Sequence, residues 1–87
     1  MAVVWIPSLL RDLTHGAAEV LVPGETVRQV IDALEQDFPG IAARLCDEGQ
    51  LRPNIVVVVD GKVSAQRLRQ RLTEASEVHF LPAIGGG

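Results

Sequence analysis

Apolar positions set out a short strand at each end of the chain and a helix between them. Val3 to Ile6 is an apolar run with β-branched and aromatic character, stopped by Pro7, and reads as a strand. Glu19 to Val22 is a second, closed by the turn pair Pro23-Gly24. The segment between them, with His15-Gly16, is long enough for a hairpin loop, so antiparallel pairing is expected. The period then changes. Val27, Val30, Ile31, Leu34 and Phe38 fall on one face at helical spacing. Thr26 stands at the N-cap, and Gln29 completes a Thr-x-x-Gln capping box. Pro39, with a fixed φ and no N–H, ends the helix. A shorter helical piece from Ile41 to about Cys46 would bury Ile41 and Leu45 and end near Gly49.

Ile55 to Val59 is aliphatic on both strand faces, which suits an interior strand covered on each side. Asp60-Gly61 is a two-residue hairpin signal, and Lys62 and Val63 begin the return strand. Gln66 to Leu72 reads equally as a short helix or an irregular strand. In the last strand, Val78 to Leu81, Val78 and Phe80 share the inward face and Leu81 turns to solvent beside Ile84. The expected architecture is α+β, a four- or five-stranded mixed sheet with one main helix packed across it. Residues 1–81 form that domain and 82–87 a flexible tail.

Composition limits what such a domain does. With 87 residues, 47% hydrophobic and 22% charged, the chain is one folded domain. Its longest aliphatic run, Ile55–Val59, falls far short of the about 20 residues of a membrane span. A chain this small buries only about 60–65% of its unfolded surface, so the core must be compact. It has to be aliphatic as well, since Trp5, Phe38 and Phe80 are the only aromatics of the Phe, Trp and Tyr class. The net charge of −3 has the wrong sign for a general nucleic-acid binder. Cys46 is the sole cysteine, which forbids an internal disulfide, and the first residues lack the pattern of a signal peptide, so a cytoplasmic protein is expected. Cys46 itself reads as an inert thiol on an apolar helical face. Together with His15 and His79 it has no zinc-type spacing, no metal site is expected, and both histidines read as surface residues.

Gly85, Gly86 and Gly87 resist a purely structural account, because they add no apolar burial and cost backbone entropy to order. A frayed end is the bland explanation. A phosphate-cradling loop is excluded, since no helix follows. The functional alternative is a carrier tail. From Pro82 the last residues span about 20 Å when extended, and glycine's missing Cβ lets the backbone pass a narrow channel and leaves the final carbonyl open to attack.

At this point the chain resembles the ThiS/MoaD-type sulfur carriers, ubiquitin-like proteins with the β-grasp fold. The resemblance rests on Gly24-Glu25-Thr26-Val27 opening the helix, Leu34 within it, and Phe38-Pro39-Gly40-Ile41 leading to Leu45. It continues through Gly49-x-Leu51, the Ile55–Val59 strand with Asp60-Gly61, and Glu77-Val78-x-Phe80-Leu81-Pro82, and ends at Gly86-Gly87. No one of these is specific; their order and spacing are. The tail has the length of the molybdopterin-synthase small subunit, with Gly85 where Ala or Thr is common. The resemblance implies that an E1-like enzyme uses MgATP to adenylate the Gly87 carboxylate. A sulfur donor then displaces AMP, and the resulting thiocarboxylate passes its sulfur to a synthase. That acceptor would be a sulfhydrylase or the molybdopterin-synthase large subunit. The carrier binds no cofactor and is a protein cosubstrate, not an enzyme. Since Gly87 is already terminal, no trimming protease is expected.

Ile6-Pro7-Ser8-Leu9-Leu10-Arg11, with Thr14 and Gly16, is similar to the carriers that feed cysteine synthesis; the molybdopterin branch comes next. The same tail would also serve a ubiquitin-like modifier joined to lysines of target proteins. Two further features bear on partners. Arg67, Arg69 and Arg71 form a basic cluster, either a solvated strand edge or a contact for an acidic partner. Leu81, Pro82, Ala83 and Ile84 form an apolar collar at the base of the tail, suited to docking. The free protein is expected to be a monomer.

Overall fold

In the computed structural model, which describes residues 1–82, the opening apolar run forms β1 (Ala2–Trp5). It pairs antiparallel with β2 (Glu19–Val22), Val4 opposite Val20, as expected. A 3-10 turn at Ser8–Leu10 starts the connection. The buried Thr14 hydroxyl holds the rest, donating to the Ala17 carbonyl at 2.8 Å.

α1 (Val27–Asp37) begins at the expected cap, with the Gln29 N–H donating to Thr26 Oγ1 at 3.2 Å. The return arm of the capping box is shifted by one residue. Gln29 Oε1 accepts from the Glu25 N–H at 2.8 Å instead of from Thr26. Gly24 is required just before it: its φ is +154°, and a Cβ there would lie 2.9 Å from both the backbone N and Cγ2 of Val30.

α2 (Ile41–Leu45) is shorter than the sequence suggests. Cys46 leaves the helix to form β3 (Cys46–Asp47), which turns back as β4 (Gln50–Leu51). The reason is local: Glu48 and Gly49 both take positive φ, +54° and +77°, the conformation of a two-residue hairpin turn. The Glu35 carboxylate caps α2 from the flank of α1, accepting from the Gly40 N–H at 3.0 Å and the Ala42 N–H at 2.9 Å. Those two donors hold its carboxyl below the usual carboxylate range.

β5 (Ile55–Val59) turns through Asp60-Gly61, at φ +52° and +84°, into β6 (Lys62–Val63). The Asp60 carboxylate also accepts from the Glu77 N–H at 2.9 Å, tying the turn to the start of β7 (Glu77–Pro82). The five-stranded sheet has the order β2-β1-β7-β5-β6, with β1 and β7 parallel at its centre and the other pairs antiparallel. With α1 across one face, this is the β-grasp arrangement. Residues 66–72 combine the two expected forms. A 3-10 turn at Arg67–Arg69 leads to an isolated bridge between Arg71 and Thr26. The backbone there secures α1, since the Val27 N–H donates to the Gln70 carbonyl at 3.0 Å and the Leu72 N–H to that of Glu25 at 2.9 Å.

The core lies between α1, α2 and the sheet. Val27, Val30, Leu34, Ile41 and Leu45 pack from the helices against Val4, Val57, Val78 and Phe80. Each such side chain contributes about 1.5–3 kcal/mol by leaving water. One expectation is corrected here. β5 is covered on one side only: Val57 and Val59 are buried, whereas Val56 and Val58 are half-buried, because this chain supplies a single helical layer. β7 also runs through Pro82, one residue into the segment assigned to the tail.

Candidate functional site

Alternation along β7 determines what surrounds the start of the tail. Val78 and Phe80 point into the core, so His79 and Leu81 lie on the open face, and Leu81 is 45% exposed as the sequence predicts. Register brings neighbours to that face. Leu81 sits opposite Val56 and His79 opposite Val58 on one side, and His79 lies beside Trp5 on the other. The Trp5 and His79 rings stack, with centroids 5.4 Å apart and an interplanar angle of 11°. Trp5 Nε1 is shielded from solvent and has no hydrogen-bond partner among the described residues. His79 is therefore half-buried against an indole rather than a plain surface residue. His15 remains exposed, tilted towards Phe38.

A groove of about 470 Å³ opens where β7 ends. Trp5, Pro7 and Leu9 form one wall, Leu81 and Pro82 another, and Arg11 and Arg44 bring positive charge to it. Leu9 is 81% exposed, an apolar side chain left largely uncovered by the described residues. Arg11 is held by a bond from Nε to the Ile6 carbonyl at 3.0 Å. The Ile6–Arg11 segment, singled out in the sequence for its branch resemblance, thus builds the wall of this groove. Of the proposed collar, Leu81 and Pro82 are in place, while Ala83, Ile84, Gly85, Gly86 and Gly87 lie outside the described residues.

The structure divides the arginine cluster. Arg67 is half-buried, with φ +55°, and its Nη2 donates to the Arg52 carbonyl at 2.8 Å. Arg69 and Arg71 are exposed. No strand edge joins the three, since Arg67 and Arg69 lie in the 3-10 turn and Arg71 in the isolated bridge. Cys46 is half-buried at the end of α2, and burial pushes its thiol up, away from the reactive thiolate. Sequence reading missed Trp5, Leu9, Arg11 and Arg44 as contributors. Alternation in Ala2–Ile6 was enough to put Trp5 on the face opposite Val4, but nothing local signals that Arg44 of α2 reaches the same groove.

The ThiS family profile matches residues 4–87. A Mycobacterium tuberculosis protein described as "Sulfur carrier protein CysO" is 35% identical, over 97% of this chain and 96% of its own. The "Crystal structure of Amycolatopsis orientalis BexX/CysO complex" contains a chain that superposes with a TM-score of 0.90 at 34% identity, each chain covered in full. "Small archaeal modifier protein 3" of Haloferax volcanii is 30% identical over 71% of this chain and 70% of its own.

Proposed function

We propose that this chain, which belongs to the ThiS family, is a sulfur carrier whose working group is the Gly87 carboxyl. The free carboxylate is a poor electrophile. An E1-like partner would join it to the α-phosphorus of ATP, with pyrophosphate leaving, and a donor delivering sulfur as hydrosulfide would then attack the acyl carbon, forming the C–S bond as AMP leaves. The product is a thiocarboxylate, which a second enzyme accepts. The folded domain supplies no acid, base or nucleophile to these steps; it supplies recognition. The open sheet face around Trp5, His79 and Leu81, continuous with the groove at the end of β7, is where a partner would grip while Ala83 to Gly87 enter its site.

The observation that carries this reading is the 35% identity to a sulfur carrier across almost the whole of both chains. A cysteine-synthesis role is favoured within it, because the Ile6–Arg11 segment, with Thr14 and Gly16, has the pattern of that branch and lines the groove. The sulfur acceptor is then a sulfhydrylase; a molybdopterin-synthase large subunit is the next choice. A second reading, conjugation to protein lysines, is favoured by the 30% identity to a small archaeal modifier. Mass spectrometry of the protein from its native cell tests both. Replacement of one terminal oxygen by sulfur is the expected result. Isopeptide-linked targets without any thiocarboxylate would favour the modifier, and finding neither would overturn the role of the tail. Deleting Gly86-Gly87 should abolish sulfur transfer and leave the melting temperature unchanged.

A further inference from the structure

Away from the tail groove, a second cleft of about 560 Å³ gathers three arginines that the sequence holds far apart: Arg28 of α1, and Arg67 and Arg69 of the 3-10 turn. The geometry points to this cleft as a docking site for an acidic segment of a partner protein. No carboxylate lines it among the described residues, although the chain as a whole carries a net charge of −3. Three of its eight cationic side chains therefore line one cleft.

Two of the three are fixed in advance. Arg28 Nη1 donates to the Gly49 carbonyl at 3.2 Å, on the β3–β4 turn. Arg67 Nη2 donates to the Arg52 carbonyl at 2.8 Å, and its N–H to Ser64 Oγ at 3.1 Å. A neutral carbonyl orients a guanidinium without cancelling its charge, and most of the five N–H donors on each remain for a ligand. The positive φ of Arg67, +55°, is a backbone cost that few non-glycine residues bear. Preformed donors reduce the entropy lost when a carboxylate is bound. Arg69 is exposed and completes the set from the rim.

The occupant follows from shape. The cleft is far larger than one phosphate group, its floor is the apolar pair Leu51 and Leu68, and Gln50 and Gln66 offer amides at its edges. Methylene stems on an apolar floor with carboxylates against guanidiniums describe a Glu-rich or Asp-rich protein segment better than a small anion. The cleft and the tail groove share no residue, so one partner can hold the domain here while the tail is engaged elsewhere. This names a partner surface beyond the carrier reading and does not require the tail.

The test is an NMR titration of the full-length ¹⁵N-labelled protein with a hexaglutamate peptide, and separately with inorganic phosphate. Peptide-induced shifts should centre on Arg28, Gln50, Gln66 and Arg69, and phosphate at equal charge should leave them unmoved. Arg69→Gln or Arg28→Gln should weaken peptide binding by about threefold to fivefold each, with unchanged melting curves, and added salt should weaken it further. Phosphate producing the same shifts as tightly would overturn the protein-segment assignment in favour of a small anion. Shifts centred on Arg11 and Arg44, or undiminished binding when Arg28→Gln and Arg69→Gln are combined, would overturn the site. None of these outcomes touches the thiocarboxylate measurement, so the two readings fail separately.

Discussion

The two faces of the sheet are built from the same kinds of residue and do different things. On β5, Val57 and Val59 are buried under α1, while Val56 and Val58, one position away, are only half-covered. On β7, Phe80 is 1% exposed and its neighbour Leu81 is 45% exposed. Composition does not separate these pairs; the side on which the helix lies does. The covered face holds the domain together, and the open one keeps apolar surface around the Trp5–His79 stack, which the proposed carrier role would turn towards a partner.

Substitutions on adjacent positions should break this comparison if it is wrong. The largest effect is expected at Phe80. Phe80→Ala removes a ring from the centre of the core and should cost about 3–5 kcal/mol, read as a lower midpoint in urea unfolding. Val57→Ala should cost about 2–3 kcal/mol, whereas Val56→Thr, on the open face, should stay within about 0.5 kcal/mol. Leu81→Asp should likewise leave unfolding nearly unchanged but weaken partner binding by about tenfold or more. A large fall in its melting temperature would show that Leu81 belongs to the core after all.

Smaller effects test the helical layer that makes the faces unequal. Thr26→Ala removes the N-cap acceptor of α1 and should cost about 1 kcal/mol. Glu35 gives a pH signature. Its folded carboxyl titrates below the unfolded one, because the Gly40 and Ala42 N–H groups stabilise the charged form. Its contribution is thus present above the unfolded value and lost as pH falls through the folded one. Thermal melts below the usual carboxylate range should decline less steeply in Glu35→Gln than in the parent.

The separation between strand and helix was legible in the residues, since hydrophobic period and turn chemistry act over a few positions. Thr26, Pro39 and Asp60-Gly61 sit where local rules put them. The Glu48-Gly49 hairpin was missed because its flanking strands are two residues each, too short for any alternation to register. Residues 66–72 were ambiguous because they mix two local 3-10 bonds, Arg69 to Gln66 and Gln70 to Arg67, with pairing of Gln70, Arg71 and Leu72 to Glu25, Thr26 and Val27, more than forty residues earlier in the chain.

By itself the sequence determined the elements, the inward set of Val78 and Phe80, the outward Leu81 and the family resemblance ending in Gly86-Gly87. These depend on local backbone preference and on which side chains avoid water. Only the tertiary structure decided which face of β5 is covered, that Ile6–Arg11 and Arg44 share the groove with Leu81, and that Arg28 joins Arg67 and Arg69 while Arg71 does not. Those juxtapositions come from parallel pairing of β1 with β7 and from the return of residues 66–72 to the start of α1. Contacts between distant segments are chosen by the packing of the whole core, which no local pattern encodes.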